Sequence, residues 1–226
     1  MRSARILAAA VLAASGLVAV GLTTETARAA TSKDLTVLPS SKVMKNEKYA
    51  LTGSVGPSSI SRRVKLQYRS GSTWKTSGET MTWSGGFSLT KTMTATKTWR
   101  FYAPKVTSGG TTYKAVTGNA KKVSLVGQTA SGFVTPYGSC SASVLQTVTV
   151  VATFSPARYG RIVLFDTVEG EFSGQQDSKG RVAFTFDHMD GAGSFDVKAT
   201  ALSYLGASAK SVTLPYRVSS SYCPLS

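Results

Sequence analysis

The sequence predicts an all-β protein, two β-sandwiches in tandem after a cleaved leader, and three observations predict it. Past the leader no segment carries the apolar period of a helix of about 3.6 residues. Short runs instead alternate apolar with polar side chains at period two, and Gly, Ser and Asn clusters cut them about every eight to twelve residues. The order of the runs repeats after about 98 residues, a domain length, which marks two copies of one module. Charge separates the copies, because residues 30–126 hold 16 Lys and Arg against 3 Asp and Glu, while residues 127–226 hold 7 against 7. So one-sided a surface finds its counter-charge outside the protein.

The leader comes first. Residues 1–5 carry two arginines, residues 6–22 are apolar, and Ala27-Arg28-Ala29 is a small-x-small cleavage site. These features predict a secretory signal peptide spanning residues 1–29. A retained anchor is the competing reading, since about 17 apolar residues reach the lower limit for a spanning helix. Ser15, Gly16 and the cleavage site oppose it, and the segment 219–226 shows no second anchor. The expected product is secreted, extracellular or associated with the cell wall, with no stable membrane insertion.

In residues 30–126 the alternating runs are 49–55, 63–69, 87–93, 99–103 and 113–117, which predict a basic sandwich. In residues 127–226 they are 147–154, 161–165, 181–186, 195–202 and 211–216, which predict a neutral one. Val64-Lys65-Leu66-Gln67 matches Ile162-Val163-Leu164-Phe165, and the run from Trp99 to Ala103 matches that from Phe195 to Ala199. The only cysteines, Cys140 and Cys223, open and close the second half. An even count in an exported chain predicts a disulfide, which stabilises by up to about 4 to 5 kcal/mol for a loop of that length. Two free buried thiols are the alternative.

The strand Val64-Lys65-Leu66-Gln67-Tyr68, the Trp74 after it, the Gly85-Gly86-Phe87 strand start and the strand Trp99-Arg100-Phe101-Tyr102-Ala103 resemble the bacterial immunoglobulin-like repeats of exported actinobacterial proteins. The resemblance covers most of residues 35–126. It covers the second half only by strand order, because Phe172 stands near the Trp74 position and that half has no Trp. It implies an immunoglobulin-like β-sandwich and a non-catalytic accessory role.

Alternation places Val64, Leu66 and Tyr68 on one side of their strand and Arg63, Lys65, Gln67 and Arg69 on the other. Likewise Trp99, Phe101 and Ala103 face inward and Arg100 and Tyr102 outward, and Tyr113 and Ala115 inward set Lys114 outward. In immunoglobulin-like topology these three strands are neighbours. Hence Arg63, Lys65, Arg69, Arg100, Tyr102 and Lys114 are expected to share one basic face. Charges of this kind also serve simply to keep a sheet wet and unpaired. The sharper expectation is a partner that is an anionic cell-wall polymer, such as teichoic acid, or an acidic polysaccharide. Nucleic acid is not favoured, because Tyr102 is the only aromatic expected among the cations. Trp99 reads as core, whereas Trp74 and Trp83, near Gly-Ser turns, read as edge packing or as rims that stack on sugars.

Catalytic chemistry is sparse. The single histidine, His188, lies in a stretch, residues 187–193, that reads as a loop, and its spacing fits no metal signature. No nucleophile elbow or phosphate loop accompanies it, and Glu169, Glu171 and Asp177 read as turn charge. No enzyme, catalytic residue, cofactor or metal is expected. A second class is a protein-protein module, inhibitor or adhesin, working through loops of the second half at Tyr137, Tyr159, His188 and Met189. A third is a hydrolase centred on His188.

Overall fold

A strand with one apolar edge needs a second layer to bury it, and each half supplies that layer by stacking two sheets. The computed structural model describes residues 31–137 and 146–218. The expected signal peptide, and Cys140 and Cys223 with their expected disulfide, lie outside the described residues.

The first half contains β1 (Thr36–Leu38), β2 (Lys42–Met44), β3 (Lys48–Ser54), β4 (Arg63–Ser70), β5 (Thr73–Met81), β6 (Gly86–Thr92), β7 (Lys97–Ala103), β8 (Val106–Ser108), β9 (Thr111–Tyr113), β10 (Val116–Thr117) and β11 (Lys121–Val126). The second contains β12 (Thr129–Tyr137), β13 (Gln146–Ser155), β14 (Ile162–Thr167), β15 (Gly170–Gln175), β16 (Arg181–His188), β17 (Gly193–Ala201) and β18 (Lys210–Val218). Sheet β1-β3-β6 faces a larger sheet ordered β2-β11-β7-β4-β5, with β10 beside β7. In the second half β12-β13-β16 faces β15-β14-β17-β18. Every regular element among the described residues is a strand, and two sheets in this crossed order make each half an immunoglobulin-like sandwich.

Each sandwich buries its own cluster. In the first, Tyr49 and Leu51 of β3, Val64 and Leu66 of β4, Phe87 of β6 and Trp99 and Phe101 of β7 are buried together. The Phe87 and Phe101 rings meet edge to face at 5.1 Å. Removing the Phe101 ring would cost about 3 to 5 kcal/mol. In the second, Val148, Val150 and Phe154 of β13 meet Val163 and Phe165 of β14 and Val197 and Ala199 of β17.

The repeat holds in topology but the expected alignment shifts in register. β14 leaves Ile162 exposed and buries Val163 and Phe165, so Val64 corresponds to Val163 and not to Ile162. Leu66 pairs with Phe101, and Phe165 with Ala199, which puts Trp99 opposite Val197 in the comparison rather than Phe195. A slip of one residue exchanges the faces of a strand, and only the buried set fixes which register is right.

Only Gly127 and Gln128 separate β11 from β12. The turn between β2 and β3 lodges against loops of the second sandwich, where the Lys48 amide donates to the Leu205 carbonyl at 2.7 Å. Arg158 grips Glu47 through Nε at 2.6 Å and Nη2 at 2.8 Å, and its Nη2 and Nη1 also donate to the carbonyls of Lys42 and Ala157. Arg161 donates to the Leu202 and Ser208 carbonyls and to the Gln128 side chain. The connection is therefore pinned through its own Gln128.

Candidate functional site

The outward side of the sheet β11-β7-β4-β5 collects most of the expected cations. Register places Lys65 opposite Tyr102 and Gln67 opposite Arg100. On the other flank Arg63 lies opposite Met81, Lys65 opposite Glu79 and Arg69 opposite Trp74. Neighbouring strands run about 4.8 Å apart, so these side chains share a narrow band. Five of the six expected residues, Arg63, Lys65, Arg69, Arg100 and Tyr102, are brought together on this side.

Lys114 is the exception. β9 ends at Tyr113 and β10 starts at Val116, so Lys114 sits between strands and not on a sheet face, and Ala115 is exposed rather than inward. Its backbone is fixed from below, because buried Arg62 donates to the carbonyls of Gly56, Pro104 and Lys114. Burial pushes the Arg62 guanidinium below its ordinary pKa. The cation that extends the face instead is Lys122, opposite Thr98, which lies two residues before Arg100 on β7 and faces outward with it. Reading β11 as a strand from its alternating Lys122 and Val123 would have found it.

Sequence reasoning also missed the aromatic component. A register irregularity opposite Leu66 and Gln67 inserts one extra residue into β5. An odd insertion reverses the faces beyond it, so Trp74 emerges on the outer side with Glu79 and Met81. There the Arg100 guanidinium lies 4.2 Å from the Trp74 ring centroid, held by a 2.9 Å bond from its Nε to Gln67 Oε1. β15 has no such irregularity, and Phe172 pairs with buried Phe165 and packs inward. Trp83 is 87% exposed, while Trp99 is buried in the core as expected.

Electrostatically the face is only partly compensated. Glu79 lies 3.4 Å from Lys65 and 3.7 Å from Arg63, and both pairs are solvent-facing and weak. The other two acids of residues 30–126 are engaged elsewhere: Glu47 with Arg158, and Asp34 with the Asn119 amide at 2.8 Å. Among the described residues no carboxylate pairs with Arg69, Arg100 or Lys122.

His188 ends β16 and is fully buried, not part of a loop; the loop is confined to residues 189–192. Its Nε2 lies 2.9 Å from the Gly191 carbonyl, which only accepts, so Nε2 carries the proton. Nδ1 lies 3.2 Å from the Tyr216 hydroxyl and 3.6 Å from Glu169 Oε1. Burial first, then the charges of Glu169 and Asp190, push the Tyr216 phenol up to about 12. Both ring nitrogens of His188 are occupied inside the sandwich, which removes it as a contact residue and as the base of a hydrolase. Of the other loop residues, Tyr137 and Met189 are exposed at one end of the second sandwich and Tyr159 at the joint end, so they form no single patch. Among the described residues no cluster of three metal-ligating side chains occurs, and no helix is long and apolar enough to cross a membrane.

No protein-family model and no curated protein matches the sequence. Solved structures that the chain matches include a tetra-tandem repeat from the extending region of a large adhesion protein, 16% identical over 82% of this chain and 49% of that one, with a TM-score of 0.36. The fibronectin(III)-like modules of Clostridium thermocellum CbhA are 14% identical over 82% and 94%, with a TM-score of 0.33. The ligand-binding domain of human OSCAR is 9% identical over 81% and 96%, with a TM-score of 0.40. The chain spans about half the length of the adhesion-protein structure.

Proposed function

We propose that this chain is a secreted, non-catalytic binding module whose first sandwich holds an anionic cell-envelope polymer on the outward side of β11-β7-β4-β5. The observation that carries the reading is the state of the three acids in residues 30–126. One is buried in the joint, one bonds an asparagine, and one serves two cations at once. Arg69, Arg100 and Lys122 are left to find anions outside the protein. Their spacing over neighbouring strands suits a flexible polyanion with repeated charges, which gains from several weak contacts at once.

The test is retention of the mature chain on purified cell wall across a salt series. Exposed charge contacts weaken as the Debye length falls from about 10 Å at 0.1 M toward about 3 Å at 1 M, so release in that range is expected. The triple variant Arg69→Glu, Arg100→Glu, Lys122→Glu is expected to elute at far lower salt. Equal retention of variant and parent would overturn the reading.

A further inference from the structure

The other sheet of the first sandwich, β1-β3-β6, carries an apolar groove on its outer side. Tyr49 and Leu51 of β3 are buried, so Lys48 and Ala50 face outward. Register sets Leu38 of β1 and Thr90 of β6 on either side of Ala50. Residues directly opposite one another share a face, so the small alanine makes a dip between two larger side chains. Pro39 and, from the second sandwich, Leu205 extend its walls, and the groove has a volume of about 530 Å³. That falls within the roughly 300 to 1,000 Å³ of small-molecule sites.

Leu205 stands there against local preference. With Gly206 it forms the two-residue turn between Tyr204 and Ala207, which exchange amide-to-carbonyl bonds of 3.1 and 2.9 Å. The φ values of Leu205 and Gly206, 48° and 93°, are both positive. Such a hairpin turn selects Asn, Asp or Gly at its first position. A leucine strains the backbone in that region, yet its side chain is left 49% exposed in the groove that it shares with Leu38, itself 52% exposed. Strain kept at an exposed apolar residue is the mark of a position held for a contact outside the chain.

Lys48 sets the chemistry of that contact. It is exposed on the same face, one outward position along β3 from Ala50, and among the described residues no carboxylate pairs with it. Its sequence neighbour Glu47 is taken by Arg158. A helix about 10 to 12 Å across does not enter a dip one alanine wide. An acid without a chain leaves both leucines wet, and a chain without an acid leaves the ammonium unmatched. We propose that the groove takes a free carboxylic acid with a single apolar chain, the chain lying over Ala50 between Leu38 and Leu205 and the carboxylate meeting Lys48. The site lies on the sheet opposite Arg69, Arg100 and Lys122 and does not depend on the polymer reading.

The experiment is calorimetric titration of the mature chain with decanoate, butyrate and decyltrimethylammonium, each below its micelle concentration. Decanoate is expected to bind about tenfold tighter than either of the others, butyrate lacking the chain and the ammonium compound the acid. Leu205→Asn is expected to weaken decanoate about tenfold, what half-burying a leucine side chain contributes. Its thermal midpoint equals or exceeds that of the parent, because Asn suits the turn. Lys48→Gln is expected to bring decanoate and decyltrimethylammonium within about twofold of each other. Butyrate binding as tightly as decanoate, or decanoate indifferent to Leu205→Asn, would overturn the groove assignment. A lowered midpoint in Leu205→Asn would show that the leucine serves the joint and not a ligand. Equal binding of the cationic amphiphile by the parent would remove the acid. Failure of decanoate to bind, with self-association of the parent that Leu205→Asn abolishes in sedimentation, would give the groove to a second copy of the chain.

Discussion

Glu47 and Arg158, 111 residues apart, meet as a two-pronged ion pair, with their side chains 0% and 2% exposed. Such a pair survives burial only when every remaining donor and acceptor is used. Here the Met44 amide caps Glu47 Oε2 at 2.8 Å, and backbone carbonyls of both sandwiches take the spare guanidinium protons.

Breaking the pair from one side strands a charge in the joint. Glu47→Leu or Arg158→Met alone is expected to lower the unfolding free energy by about 3 to 5 kcal/mol, and the double variant Glu47→Leu, Arg158→Met by less than either. Urea denaturation of the four proteins measures it. Losses that simply add would show that the two side chains do not depend on each other.

Gly206 tests the joint without touching a charge. Its φ is +93°, and a Cβ there would come within 2.7 Å of the Asn46 carbonyl oxygen. Gly206→Ala is expected to part the Lys48 to Leu205 bond and loosen the two sandwiches, seen as a larger radius of gyration in solution scattering. An unchanged radius would mean the close approach at Gly206 does not hold the joint.

The cations of the first sandwich are not equivalent. Arg100 is positioned by Gln67 and Trp74 on the sheet, whereas Lys114 projects from between strands. Arg100→Glu is expected to lower the salt concentration that elutes the chain from purified wall, and Lys114→Glu to lower it much less. The reverse order would move the binding surface away from the sheet.

Alkaline pH probes the burial of the Tyr216 phenol beside Glu169 and Asp190. The folded phenol titrates at about 12 and the unfolded one at 10.0, so the folded state holds the proton more tightly. Below pH 10 both states are protonated and the contribution is complete. Between about 10 and 12 the unfolded tyrosine ionises first and draws the equilibrium toward unfolding. Tyr49, raised mainly by burial, acts in the same direction. Stability followed by urea midpoint is expected to fall across this window, and Tyr216→Phe to make the fall shallower. An equal slope in that variant would show that the phenol does not titrate differently in the two states.

The all-β class was legible because inward sets such as Val64, Leu66 and Trp99, Phe101 alternate without interruption. β5 and β12 escaped, since polar Thr, Lys and Ser residues in one and Gly132 and Pro136 in the other erase the alternation that marks a strand. The cations of β4 and β7 were legible for the same reason as the core, being its complement. Trp74 was not, because its side depends on one inserted residue across from Gln67, which no periodicity reveals. Lys114 failed on a boundary, the end of β9 at Tyr113. His188 looked like a turn residue among aspartates and glycines, and it is the rings of Phe195 from β17 and Tyr216 from β18 that make it core. The grip of Arg158 on Glu47 joins distant segments and leaves no local trace in either.

Gly127 and Gln128 are the whole of the covalent link between the sandwiches, and Gln128 is itself tied to Arg161 and Ser208. A tether so short, braced at its side by the guanidinium grip and the amide of Lys48, has no slack to take up tension. Under mechanical load the two bodies would behave as a stiff strut and not a leash, passing a pull on one straight into the other.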